Sequence, residues 1–97
     1  MTSHHPIDRD TMLVQATDMP HGEIDDELMV LDSKQGEILG LDKIGTDIWR
    51  MASSPTSAAI MIERLAQEYD ADAGIISDDL MPFLTQLVER GLLRIVD

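Results

Sequence analysis

A chain of 97 residues has room for one small domain, and a net charge of −12, from 19 acidic and seven basic residues, argues against a phosphate-neutralising surface. The basic residues stand singly, at Arg9, Lys34, Lys43, Arg50, Arg64, Arg90 and Arg94, so neither DNA nor RNA is an expected partner. The lack of cysteine excludes a disulfide framework and a thiolate zinc site and fits a reducing cytoplasm, while no apolar run is long enough to cross a membrane.

Residues 1–10 are polar, carry Pro6 and show no periodicity, which predicts a disordered tail ahead of a domain over 11–97. Thr11–Ala16 reads as a first strand, and Asp18–Asp26, with Pro20, Gly22 and four acidic residues, as a loop. Leu28–Leu31 is an apolar run of strand length. Ser33-Lys34-Gln35-Gly36 supplies turn chemistry, and Glu37–Leu41 returns, so these two strands form a hairpin. The hydrophobic period then lengthens from two to about 3.6. Asp42 caps a helix over Lys43–Ala52 with Ile44, Ile48 and Met51 on one face. Thr56 or Ser57 caps a second, running to about Tyr69, whose apolar set is Ala58, Ile62, Leu65 and Tyr69. Asp70–Gly74 is a polar break. Ser77 is expected to cap a third helix, with Asp78 and Asp79 in its first turn and Pro82 close behind, and Gly91 to end it. Leu92–Val96 packs back as a short strand.

This order predicts an α+β domain that is winged helix-turn-helix-like: a three-stranded antiparallel sheet followed by three helices. A winged-helix DNA-binding regulator is one alternative, and charge argues against it. The third helix would be the reading helix, yet it opens on two aspartates and contains only Arg90, near its end.

Catalytic chemistry is hard to find. His4 and His5 lie in the tail and His21 in an acidic loop, at spacings that match no metal site. No Gly-x-Ser-x-Gly elbow or Ser-x-x-Lys motif is present, and the glycines are too dispersed for a phosphate cradle. Carboxylate pairs such as Asp78–Asp79 are expected solvated faces in a chain this acidic. The expectation is a protein that is not an enzyme and takes no cofactor. What remains is the hairpin. A three-stranded sheet leaves two edges, and an open edge is a row of N–H and C=O groups able to take an extended peptide. Glu37 is the only charge in the return strand, and Gly40 allows close approach. A structural dimerisation module, with a weak homodimer joined through the same edge, is the other alternative.

The block Leu39-Gly40-Leu41-Asp42-Lys43-Ile44-Gly45-Thr46-Asp47-Ile48-Trp49, preceded by Leu31-Asp32 and Gly36 and followed by Glu89-Arg90-Gly91-Leu92-Leu93, resembles the PqqD-like family, the RiPP recognition elements. Within it the likeness is to stand-alone leader-binding proteins of lasso-peptide biosynthesis. Where many relatives carry aromatic residues before the Gly-Leu step, this chain has Ile38 and Leu39. The resemblance implies that 11–97 is a PqqD-like peptide-binding domain, a non-catalytic adaptor for the leader of a ribosomally made precursor peptide. The leader would add as an antiparallel strand to Gly36, Glu37, Ile38, Leu39, Gly40 and Leu41. Its side chains would rest against Asp79, Pro82, Phe83, Gln86 and Arg90, and a leader peptidase of cysteine-protease fold would be the partner enzyme. Replacing Leu39 by Pro is expected to remove an outward-facing N–H of that edge.

Overall fold

The computed structural model describes residues 7–16 and 18–96. Of the expected tail, residues 1–6 lie outside that range. Ile7 packs against the core, the Arg9 guanidinium donates to the Ser77 hydroxyl at 3.0 Å, and the Arg9 carbonyl accepts from Ala59 N–H.

The architecture is α+β, with three helices and two small antiparallel sheets. Strands β1 (Met12–Gln15), β2 (His21–Ile24), β3 (Glu27–Asp32) and β4 (Glu37–Gly40) precede helix α1 (Lys43–Met51). A two-residue strand β5 (Thr56–Ser57), helices α2 (Ala58–Tyr69) and α3 (Ala73–Glu89), and strand β6 (Leu93–Ile95) complete the chain. The hairpin β3–β4 forms where expected and belongs to a three-stranded sheet in the order β2-β3-β4. Its third strand, however, is β2, inside the segment read as an acidic loop. The β1 strand instead lies between β5 and β6 in the other sheet. Local pattern could not show this, because β2 is exposed at all four positions and so has no apolar alternation.

A turn makes β2. Ile24 pairs with Glu27, and Asp25 and Asp26 between them take φ of 52° and 67°. Positive φ at both central residues defines the tight hairpin turn whose twist matches the strands it joins. Arg50 on α1 then ties this corner down, donating from Nε and Nη2 to the Glu23 carboxylate. That hydrogen bond holds the Glu23 carboxyl below its ordinary range, so its contribution is present at neutral pH and is lost as acid titrates it.

Helix α1 has the expected Asp42 cap, whose carboxylate accepts from Gly45 N–H at 2.8 Å. It buries Ile48 and Trp49 while Ile44 stays exposed. In α2 the cap is Ser57, and Ala58, Ile62 and Leu65 are buried as their spacing predicts. Tyr69 is instead a tie, its hydroxyl donating to Asp47 Oδ2 at 2.9 Å. Helix α3 starts earlier than expected. Asp72, not Ser77, is its N-cap, accepting from Gly74 and Ile75 N–H, and the Ser77 hydroxyl is buried against Arg9. Pro82 consequently sits mid-helix, on an exposed face where water can take the carbonyl it leaves unpaired, while Leu80, Leu84 and Leu87 are buried. Gly91, at φ 77°, ends the helix as expected. The core gathers Leu13 of β1, Leu28 and Val30 of β3, and Leu92 and Leu93 around the buried faces of all three helices. Among the described residues no helix is long and apolar enough to cross a membrane.

The Asp25–Asp26 turn carries avoidable strain, since an L-residue in the left-handed region costs about 1–2 kcal/mol. Replacing Asp26 by Gly relieves that strain and loses some of the gain to a freer unfolded chain. The variant Asp26→Gly is expected to be more stable by about 0.5–1 kcal/mol, read as a higher urea midpoint with an unchanged slope.

Candidate functional site

The β3–β4 hairpin closes over a four-residue loop. The carboxylate of buried Asp32 accepts from Lys34 and Gln35 N–H, and Gly36 supplies the left-handed residue at φ 66°. The ladder runs Asp32↔Glu37, Leu31↔Ile38, Val30↔Leu39 and Met29↔Gly40. Beyond it, Leu41 N–H donates to Leu28 C=O at 2.9 Å. The reciprocal bond is not direct. Thr46, fully buried on α1, inserts its hydroxyl: it accepts from Leu28 N–H at 2.9 Å and donates to Leu41 C=O at 3.2 Å.

That bond sets the parity of the hairpin. Antiparallel pairs alternate between bonded and unbonded, so Leu39 turns its N–H and C=O inward to Val30. Ile38 and Gly40 turn theirs outward, to an edge that no described strand occupies. The outward N–H groups are therefore those of Ile38 and Gly40, and the expectation for Leu39→Pro is corrected: it would break the hairpin's own ladder.

Side chains alternate with the same period. Leu39 and Leu41 pack against the core, whereas Ile38 is 71% exposed on the opposite face. Beside the open edge runs the C-terminal half of α3, and between them lies a groove of about 620 Å³. Of the residues singled out from the sequence, Ile38, Leu39, Gly40 and Leu41 form one wall, and Phe83, Gln86 and Arg90 stand on the other. Glu37 closes one end, accepting from Arg90 Nη1 at 2.8 Å, a hydrogen bond that raises the Arg90 pKa above its ordinary value. Gly36 lies in the turn beyond.

Asp79 and Pro82 stand outside this groove. Asp79 borders a second, more apolar cleft with Ile44, Tyr69 and Ile75 between the helices, and Pro82 is exposed on α3. Phe83 borders both spaces. Its ring rests against α1 at Gly45, where a Cβ would come within 3.1 Å of Phe83 Cζ, so a larger residue here would push the ring back by a few tenths of an ångström. Leu87, Glu89 and Leu92 also line the groove and were not singled out. Leu87 reads as core from its helical spacing, and it is buried while forming the floor. Glu89 could have been found as one helical turn beyond Gln86.

The site holds an open edge and an apolar floor with one ion pair. Among the described residues no group of three or more His, Cys, Asp or Glu is placed to hold a metal ion.

Comparison with known proteins gives the family. The family described as Coenzyme PQQ synthesis protein D (PqqD) matches residues 27–93, from β3 into β6, and the chain belongs to that family. Among solved structures it is similar to one described as "TbiB1 in Complex with the TbiA(beta) Leader Peptide". The TM-score is 0.70 at 28% identity, over 84% of this chain and 95% of that one. No curated protein matches.

Removing the Thr46 hydroxyl tests what holds the edge strand in place. In Thr46→Val the buried Leu28 N–H and the Leu41 C=O lose their partner, and stability should fall by about 1–3 kcal/mol in urea unfolding. Thr46→Ser keeps the hydroxyl and should recover most of it.

Proposed function

We propose that this chain is a non-catalytic adaptor that binds the leader segment of a ribosomally synthesised precursor peptide by antiparallel strand addition to β4. It would present that leader to a modifying enzyme, in a lasso-peptide pathway a leader peptidase of cysteine-protease fold. One observation carries the reading: β4 turns the N–H and C=O of Ile38 and Gly40 to an edge that no described strand pairs with and that opens onto an apolar groove. Membership of the PqqD family and likeness to a protein solved with a leader peptide support it.

The geometry suits a peptide whose backbone is recognised everywhere and whose side chains are recognised at alternate positions. Backbone bonds to Ile38 and Gly40 would set the register of the leader. Leader residues facing Leu39 and Leu41 would turn into the groove towards Phe83 and Leu87, and those facing Ile38 and Gly40 would turn to the open face of the sheet. Ordering a short strand on a preformed edge corresponds to micromolar to nanomolar affinity, about −8 to −12 kcal/mol. Holding the leader beside an enzyme raises its effective concentration there, so no group of this chain needs to touch the scissile bond.

The test removes one backbone donor. Proline is tolerated at a strand edge when its missing N–H faces outward, so Ile38→Pro should keep the fold, checked by circular dichroism. Fluorescence polarisation with the labelled leader of the precursor encoded nearest to this chain's gene should show saturable binding to the wild type. Ile38→Pro is expected to weaken it by at least tenfold and Ile38→Val to leave it close to the wild-type value. Equal affinity in folded Ile38→Pro would overturn strand addition. The homodimer alternative makes the opposite forecast, a wild type that self-associates and ignores the peptide.

A further inference from the structure

We propose that the Glu37–Arg90 end of the groove selects a basic residue in the leader, two positions C-terminal to the leader residue that faces Leu39. The proposal rests on strand addition to β4 and adds to it a register and a charge.

The register follows from the parity of the hairpin. An added strand that bonds to Ile38 and Gly40 places its intervening residues opposite Glu37, Leu39 and Leu41, and directly opposite residues point to the same face. Leu39 faces the core, so Glu37, two residues away, points to the same side, where it meets Arg90 across the groove. An antiparallel leader runs against β4. It therefore meets Leu41 first, then Leu39 over the apolar floor of Phe83 and Leu87, and Glu37 last.

The charge follows from what surrounds that last position. One guanidinium here faces two carboxylates: Arg90 donates to Glu37, and Glu89, its neighbour along α3, lines the same groove. Arg90 is already engaged by Glu37. A leader carboxylate here would have to compete with Glu37 while facing Glu89, whereas a leader ammonium or guanidinium can share Glu37 and approach Glu89. The net charge of −12 biases the approach of a peptide in the same direction. The resulting leader signature is apolar-x-apolar-x-basic, read N to C against Leu41, Leu39 and Glu37, with the two x positions turned away from the groove.

The experiment is a charge scan. Each residue of the fluorescein-labelled leader named above is replaced in turn by Lys and by Glu, and every peptide is titrated against wild type, Glu37→Gln, Arg90→Gln and Ile38→Pro. Both charge variants change exposed side chains. One position is expected at which Lys binds about two- to fivefold tighter than Glu, the size of an exposed pair, with the preference shrinking at high salt. Glu37→Gln should reduce the preference, and Arg90→Gln, which removes the competing cation, should enlarge it. A preference for Glu at that position, or no position whose preference responds to Glu37, would overturn the proposal and leave strand addition standing. A parent leader that fails to bind, or binds Ile38→Pro as well as wild type, would remove strand addition and this proposal with it.

Discussion

The hydroxyl of Thr46 is the interaction on which the rest of the structure depends. Buried, it replaces one direct bond between β3 and β4 with two bonds to α1, and so locks the hairpin onto the helix that follows it. The same turn of α1 carries the Asp42 cap and Gly45, which lets Phe83 of α3 approach. Within five residues the chain thus sets the end of β4, the start of α1 and the position of α3 against both. The inner side of β4 is satisfied by β3. Its outer side faces α3 across a space into which the helix backbone offers no bonds, because those are spent within the helix itself.

Electrostatics reinforce this frame with two of the seven basic residues. Arg50 joins β2 to α1 through Glu23, and Arg90 joins β4 to α3 through Glu37. The three-stranded sheet is therefore tied to the helices at both of its edge strands, one tie at a strained turn and the other at the mouth of the groove. Exposed pairs of this kind contribute little to stability individually. Their effect is positional: they fix which carboxylates are engaged, and among the described residues Glu89 lines the groove outside these pairs.

Much of the site was legible in the residues. The apolar run Leu28–Leu31 and the return strand Glu37–Leu41, with turn chemistry between, gave the hairpin, and the combination around Gly40-Leu41-Asp42 and Gly45-Thr46 gave the family resemblance. Less legible were elements whose signals are not local. The β2 strand is exposed throughout and exists because Asp25 and Asp26 accept positive φ, a role their side chains do not announce as Asn-Gly would. Asp72 and Ser77 are both good capping residues; the helix starts at the first, and Ser77, one turn inside it, is instead engaged by Arg9 from 68 positions away.

What the sequence by itself determined is the β3–β4 hairpin, the α1 and α2 helices with their Asp42 and Ser57 caps, and the acidic character, since each rests on neighbours along the chain or on a sum over all of it. Only the tertiary structure decided which backbone groups of β4 face outward, for parity is set by Leu28, Leu41 and Thr46 together and a one-residue shift would exchange Leu39 for Ile38. It also decided that Arg90 meets Glu37 across 53 positions, and that Phe83 borders the groove where Asp79 and Pro82 do not. Those choices depend on where α3 begins and how closely Gly45 lets it approach, and distances of that kind come from packing three elements at once.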